Sequence, residues 1–166
     1  MNIRVTIRNS SSAPQTAAVV TRVYALDKQG RISGRPITET SQSLVQIGKG
    51  EQATIESAFR ISSPRLWGPY PAQQPHLYKA ISYIYIAGKP ADVCETIFGV
   101  RSLRFDPEKG LLLNNRPVRI QGVNQHHDLG ALGAAFNTRA AERQLELLQE
   151  MGCNAIRLAH NPPAPE

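Results

Sequence analysis

The sequence predicts two consecutive folds: an antiparallel β-sandwich, then the opening β-α-β segment of a parallel α/β sheet or barrel. Three observations lead to this prediction. Short segments of alternating polar and apolar residues, separated by turns, fill residues 1–100. One later segment, residues 138–152, repeats its apolar residues at helical spacing. It lies between two short apolar segments, and strands that are joined through a helix pair in parallel.

Residues 1–100 alternate with the two-residue period of strands that bury one face. Apolar and polar side chains take turns over residues 2–9, and residues 15–27 resume the pattern after a Ser-rich turn. Residues 53–61 place Ile55, Ser57 and Phe59 on one face. Residues 77–101 predict a hairpin that turns at Ala-Gly-Lys-Pro, positions 87–90. Short strands separated by turns are typical of a two-layer antiparallel sandwich.

A proline-rich segment, residues 62–78, interrupts the strands. It holds four of the twelve prolines and the single tryptophan, Trp67, so it cannot be a ladder strand. Two interpretations are open. The segment is either a ligand surface or a loop that an aromatic side chain anchors to its own domain, and loops of the second kind are more common.

The character of the chain changes after Arg101. A hairpin is predicted to turn at Asn114-Asn115, and its second arm is predicted to run from Val118 to Val123. The helix at residues 138–152 starts at a cap, either Asn137 or Thr138, and Gly152 ends it. A short apolar strand follows at residues 153–160.

Composition excludes several functional classes. The net charge is +6, but the basic residues are scattered singly along strands, whereas nucleic-acid binding proteins concentrate them on one element. No apolar run approaches the roughly 20 residues that cross a bilayer. The chain is therefore expected to be soluble, and to bind neither nucleic acid nor membrane. The sequence does not distinguish a cytoplasmic parent protein from a periplasmic or secreted one. Cys94 and Cys153 are expected to be small buried apolar residues.

Polar residues gather where the two parallel strands are predicted to end. His126, His127 and Asp128 follow the first strand and His160 follows the second, so three of the four histidines share one rim. Three interpretations are open. These groups bind a metal, they bind the hydroxyls of a polyhydroxy ligand, or they satisfy one another structurally. Adjacent strand residues point to opposite faces, which disfavours the metal because His126 and His127 would not converge.

No nucleophile-and-base motif or phosphate-binding loop is present. The helix acids Glu142, Glu146 and Glu150 recur every four residues, which predicts a solvated stripe. No two carboxylates are recognisable as a catalytic pair.

Four segments resemble glycoside hydrolase family 2, the β-galactosidase and β-glucuronidase group. They are Phe-Gly-Val-Arg at 98–101, Leu-Asn-Asn-Arg-Pro at 113–117, Gly-Val-Asn-Gln-His at 122–126 and Asn-Ala-Ile-Arg-Leu-Ala-His-Asn-Pro at 154–162. The proline-rich segment is similar to the Pro-x-Leu-Trp…Pro-x-Leu-Tyr segment of the same family. The resemblance is close over some 65 residues and looser over the sandwich.

The resemblance implies an immunoglobulin-like β-sandwich at residues 1–99 and, at 100–166, the start of a catalytic (β/α)8 TIM barrel. It implies a retaining glycosidase, with β-galactosidase expected, that needs no cofactor and no metal. The family's acid/base and nucleophile glutamates come from later barrel strands. This chain would therefore be a fragment that carries no catalytic residue and is inactive alone. The alternative is a non-catalytic immunoglobulin-like module that binds carbohydrate or acts as a spacer.

The resemblance also assigns roles to residues of the rim. His126, Asp128 and His160 would bind hydroxyls of the sugar, and Arg157 would orient the nucleophilic glutamate and favour its charged form. The partner is then a carbohydrate substrate in the full-length enzyme. Because the barrel is incomplete, we also expect its exposed segment either to be mobile or to associate with a second copy of the chain.

Overall fold

The structure is a computed structural model that describes residues 1–160 and Pro162. The chain divides into two compact units, Met1–Arg101 and Ser102–Glu166. The first unit is built from antiparallel strands, and the second contains a parallel pair of strands joined through a helix. The predicted mainly β chain, with a sandwich followed by a β-α-β segment, is confirmed.

The first unit is a two-layer sandwich of seven strands. One layer pairs β1 with β5, and the other has the order β3-β2-β6-β7 with β4 also paired to β2. The strands are β1 (Asn2–Arg8), β2 (Gln15–Leu26), β3 (Ile32–Glu39), β4 (Ser43–Ile47), β5 (Gln52–Ala58), β6 (Tyr78–Ile86) and β7 (Lys89–Phe98).

The predicted alternation forms the core between these layers. In β1 every second residue is half-buried and the others are exposed. In β2 the residues Val19, Thr21 and Val23 are buried, as their spacing predicts. Two clusters fill the space between the layers, one around Ala17, Val19, Ile47, Ile55 and Ile84 and one around Val23, Tyr78 and Ala80. The burial of these apolar side chains drives the two sheets together.

Two hydroxyl groups meet inside this core. Thr21 and Ser82 face each other in the β2–β6 ladder, and their Oγ atoms are hydrogen-bonded at 2.8 Å. The Thr21 backbone N–H also donates to Thr40 Oγ1 at 3.0 Å. These buried hydroxyl groups thus have partners, so burying them costs little free energy.

The proline-rich segment is anchored to the first unit through its aromatic side chain. Trp67 donates its backbone N–H to the Val100 carbonyl at 2.8 Å, and the Arg101 guanidinium lies 5.1 Å from the centroid of the indole. Gly99 lies against the same indole, because a Cβ there would be 2.8 Å from the Cβ of Trp67. These contacts fit the interpretation of the segment as an anchored loop.

The second unit contains five short strands and one α-helix among its described residues. The strands β8 (Leu103–Asp106), β9 (Gly110–Leu113) and β10 (Arg116–Pro117) form an antiparallel sheet, and β11 (Gly122–Gln125) pairs in parallel with β12 (Ala155–Leu158). The helix, α1 (Thr138–Glu150), connects β11 to β12. The predicted βαβ connection is therefore confirmed.

The local signals for the turns and the cap are also confirmed. Asn114 and Asn115 turn the β9–β10 hairpin with φ angles of 54° and 62°. Asn137, rather than Thr138, caps α1, because its side-chain oxygen accepts from the Ala140 N–H at 3.0 Å. Gly152 follows the helix with φ of 88°, a conformation that glycine adopts without strain.

Two predictions are wrong. The strand expected from Val118 to Val123 is present only at its end, where β11 begins at Gly122, because the chain leaves the antiparallel sheet after the Val118 N–H donates to the Leu111 carbonyl at 2.8 Å and then joins β12. Cys94 is exposed rather than buried, because β7 lies at the end of its sheet with nearly every residue exposed. Cys153 is half-buried. No helix among the described residues is both long enough and apolar enough to span a bilayer.

We expect V23A to lower the free energy of unfolding of the sandwich by about 2 kcal/mol, because it leaves a cavity in a closely packed core. Val23 has no exposed surface. Urea denaturation followed by the fluorescence of Trp67, the single tryptophan, measures this unit. The matched control is V93A, since Val93 is 53% exposed, and its cost should stay below about 0.5 kcal/mol. Equal costs for the two variants would contradict the described core.

Candidate functional site

The parallel pairing of β11 and β12 places the predicted rim. Gly122 lies opposite Ala155 and Gln125 opposite Leu158, so the two strands end at the same level. The Ala159 N–H then donates to the Gln125 carbonyl at 2.9 Å, which continues the pairing beyond the last residue of each strand. Residues that follow the two strands are consequently neighbours in space.

Two residues hold the start of this pair together. A Cβ on Gly122 would lie 2.4 Å from the Ala155 carbonyl oxygen, so only glycine allows the strands to approach this closely. Asn154 accepts from the Gln121 N–H at 2.9 Å and donates through Nδ2 to the Arg119 carbonyl at 2.8 Å. Its backbone N–H donates to the Gln121 carbonyl at 2.8 Å. The sequence Asn154-Ala155 therefore fixes the register of the pair.

His126 and His160 meet at the carboxyl ends of these strands. Their rings are stacked, with centroids 5.4 Å apart and planes 28° from parallel. His160 has a φ of 70°, an uncommon conformation for a residue with a side chain. Both side chains are exposed, so their nitrogen atoms are accessible to a ligand.

The other predicted site residues lie around this histidine pair. Arg157 faces Asn124 across the ladder, and its Nη1 donates to Asn124 Oδ1 at 3.5 Å. His127 and Asp128 line a neighbouring cavity of about 400 Å³ between the strands and α1. Asn161 lies outside the described residues. The structure therefore brings His126 next to His160, and Arg157 lies opposite Asn124 in the β11–β12 pairing.

Gln125 and Gln144 belong to this site but were not predicted from the sequence. Gln125 points away from the face that carries Asn124, and its Nε2 donates to Gln144 Oε1 on α1. Gln144 lies three residues after Ala141, on the helix face that lines the same cavity. A polar residue on an otherwise apolar helix face was the signal available in the sequence.

The described residues do not form a cluster of metal ligands or a pair of catalytic carboxylates at this site. Within residues 1–160 and Pro162, no three His, Cys, Asp or Glu side chains come together as a metal site. The predicted solvated stripe is confirmed, because the three helix acids form ion pairs with Arg139 and Arg143. Hydrogen bonds from Arg139 hold the pKa of Glu146 below its ordinary value.

The apolar faces of the βαβ segment are largely open. No residue of α1 is buried, and Leu145 is 42% exposed. On β12 the side chains of Ile156 and Leu158 are 39% and 50% exposed. A β-sandwich followed by this open βαβ segment, with histidines at the carboxyl ends of its strands, defines the chain as a sandwich joined to the opening unit of a parallel α/β domain, the kind of domain that gathers functional groups at those strand ends.

Comparison with known families identifies the family to which the chain belongs. Residues 1–101 match the model for glycosyl hydrolases family 2, and residues 107–166 match the model for the TIM barrel domain of the same family. The chain belongs to glycosyl hydrolase family 2, and the resemblance drawn from its motifs is confirmed.

Several relatives are similar over most of the chain. It is 37% identical over its full length to the β-galactosidase BoGH2A of Bacteroides ovatus, and 33% identical over 72% of its length to a β-glucuronidase of Bacteroides fragilis. The crystal structure of a family 2 member from Bacteroides cellulosilyticus matches 99% of the chain with a TM-score of 0.82 and 29% identity. The chain spans 18%, 17% and 21% of these proteins, about a fifth of their length.

We expect G122A to loosen the β11–β12 pair, because the added methyl group would meet a backbone oxygen that cannot move aside. Hydrogen exchange measures this directly as faster exchange of the Ala159 amide, which bonds to Gln125. Amides of β2 and β6 in the other unit serve as the internal control and should exchange as before. Unchanged protection of Ala159 would show that the strands tolerate a side chain at this position.

Proposed function

We propose that the chain supplies part of the sugar-binding wall of a retaining β-glycosidase whose substrate is a β-galactoside. The observation that carries the proposal is the His126–His160 pair, with ring centroids 5.4 Å apart at the ends of adjacent parallel strands. In barrel enzymes the carboxyl ends of the strands are where substrate is bound.

The residue types at this rim suit a polyhydroxy ligand. An imidazole both donates and accepts hydrogen bonds, and the Asp128 carboxylate accepts from hydroxyl groups. A glutamate brought beside the guanidinium group of Arg157 would be held in the charged form that a nucleophile requires. The guanidinium lies beside Asn124, whose Oδ1 is 3.5 Å from its Nη1.

The comparison with relatives favours a galactoside. The relative that is 37% identical over the whole chain is named a β-galactosidase, whereas a β-glucuronidase of Formosa agariphila that is similar over 99% of the chain is 25% identical to it. A β-glucuronide differs from a β-galactoside by a carboxylate in place of the hydroxymethyl group and by the opposite configuration of the hydroxyl at C4. The two sugars are therefore distinguishable by binding.

We further propose that the chain taken alone does not catalyse hydrolysis. A retaining glycosidase needs two carboxyl groups about 5–5.5 Å apart, one as acid/base and one as nucleophile. Among the described residues, two acidic side chains, Asp128 and Glu142, line the cavity between the strands and α1. Glu142 is paired with Arg139 on the helix surface. The described residues thus offer binding groups without a catalytic pair.

We expect the purified 166-residue chain to release no nitrophenol from nitrophenyl β-galactoside above the rate in buffer, because the chemical step requires both carboxyl groups. A matched sample of H160A gives the background from any contaminating enzyme. Turnover by the unmodified chain that disappears in H160A would overturn the proposal that the chain is inactive alone.

We expect H160A to weaken the binding of methyl β-galactoside, since the loss of one or two hydrogen bonds costs about 1–2 kcal/mol, a roughly five- to thirtyfold rise in Kd. The measurement is a titration followed by NMR, compared with methyl β-glucuronide for the choice of sugar. The control is H76A, which removes the one histidine outside the rim. Binding that survives both H160A and H126A would instead favour the non-catalytic carbohydrate-binding module.

A further inference from the structure

A chain of hydrogen bonds runs from β11 through α1 to the loop that carries the rim residues. Gln125 is the last residue of β11, and its Nε2 donates to Gln144 Oε1. Gln144 in turn donates through Nε2 to the Asp128 backbone carbonyl at 3.4 Å. One helix side chain therefore contacts both ends of the segment 125–128, and His126 lies inside that segment.

The direction of these bonds is fixed by the carbonyl group. The Asp128 carbonyl oxygen can only accept, so the amide nitrogen of Gln144 must point towards it. The amide oxygen of Gln144 then faces Gln125 and requires a donor there. Gln125 must use its NH2 group, which leaves its Oε1 buried without a hydrogen-bond partner among the described residues. Both amide groups are thus held in one orientation, because flipping either one would set like groups against each other.

The same glutamine is also tied to the second strand. The backbone carbonyl of Gln125 accepts from the Ala159 N–H at 2.9 Å, and Ala159, which is 2% exposed, precedes His160 directly. Gln125 is therefore connected to His160 through the backbone and to the His126 loop through Gln144.

We propose that Gln144 is a positioning residue of the rim: it holds the segment 126–128 so that the imidazole of His126 stacks on that of His160. The functional importance of this role rests on the proposed binding of sugar by the two histidines. The hydrogen bonds of Gln144 themselves do not depend on any ligand. Gln144 acts through Gln125 and Asp128 and does not itself touch the sugar.

The test compares three variants of the full chain by NMR, with the NOE between the His126 and His160 ring protons as the readout. Q144L removes both hydrogen bonds, and we expect the NOE to be lost. Q144E has nearly the same shape and still accepts from Gln125, but its carboxylate cannot donate to the Asp128 carbonyl. We expect Q144E to keep the Gln125 side-chain shifts of the unmodified chain and to lose the NOE, because the Asp128 carbonyl then has no donor from the helix. The control Q149L changes an exposed glutamine of the same helix and should preserve the NOE.

The outcomes separate a local effect from unfolding. If Q144L merely destabilised the unit, resonances of β9, β11 and α1 would change together, which would overturn the proposal. Retention of the NOE in Q144L would overturn it as well. A lost NOE with otherwise unchanged resonances supports it. A sugar titration of the unmodified chain, made separately, decides the proposed function, so failure of that titration leaves the result for Gln144 intact.

Discussion

The close approach of β11 and β12 is the constraint on which the rim depends. The two strands meet backbone to backbone at Gly122, where no side chain intervenes, and Asn154 locks their register with its side chain and its N–H. This register determines where the residues that follow the two strands lie. Because both strands end at one level, His126 and His160 lie side by side although 34 positions separate them along the sequence. The parallel pair has only four residues per strand. Gly122 and Asn154 therefore contribute a large share of its stability.

The two units show different balances between packing and exposure. The sandwich has fully buried side chains such as Ala17 and Val23, which lie between two sheets. In the second unit α1 buries no residue, and apolar side chains such as Leu158 remain half exposed. A helix that is held by few apolar contacts opens more readily than a packed core. Specific hydrogen bonds, such as those of Gln144, therefore matter more for the geometry of the rim than they would in a closely packed barrel wall.

Local signals in the sequence predicted those parts of the structure that local physics decides. The alternation in β2, the left-handed pair Asn114-Asn115 and the helix cap all depend on neighbouring residues alone. The family motifs added the identity of the folds and the rim residues. The exposure of Cys94 was not predictable in this way, since it depends on β7 lying at the end of its sheet. The bonds of Gln144 depend on how a helix packs against a strand, which no periodicity in the sequence specifies.

The pairing of β1 with β5 has a consequence for how the sandwich is made. Arg4 on β1 and its ion-pair partner Glu56 on β5 are 52 positions apart, so β1 is synthesised before its partner strand exists. During that interval an extended apolar strand is exposed to other unfinished chains. The alternating Arg4, Thr6 and Arg8 keep charge and polarity on every second position of β1. Lysine and arginine on such strands oppose edge-to-edge association. The solvent face of β1 thus protects the nascent chain before it becomes the surface of the finished sandwich.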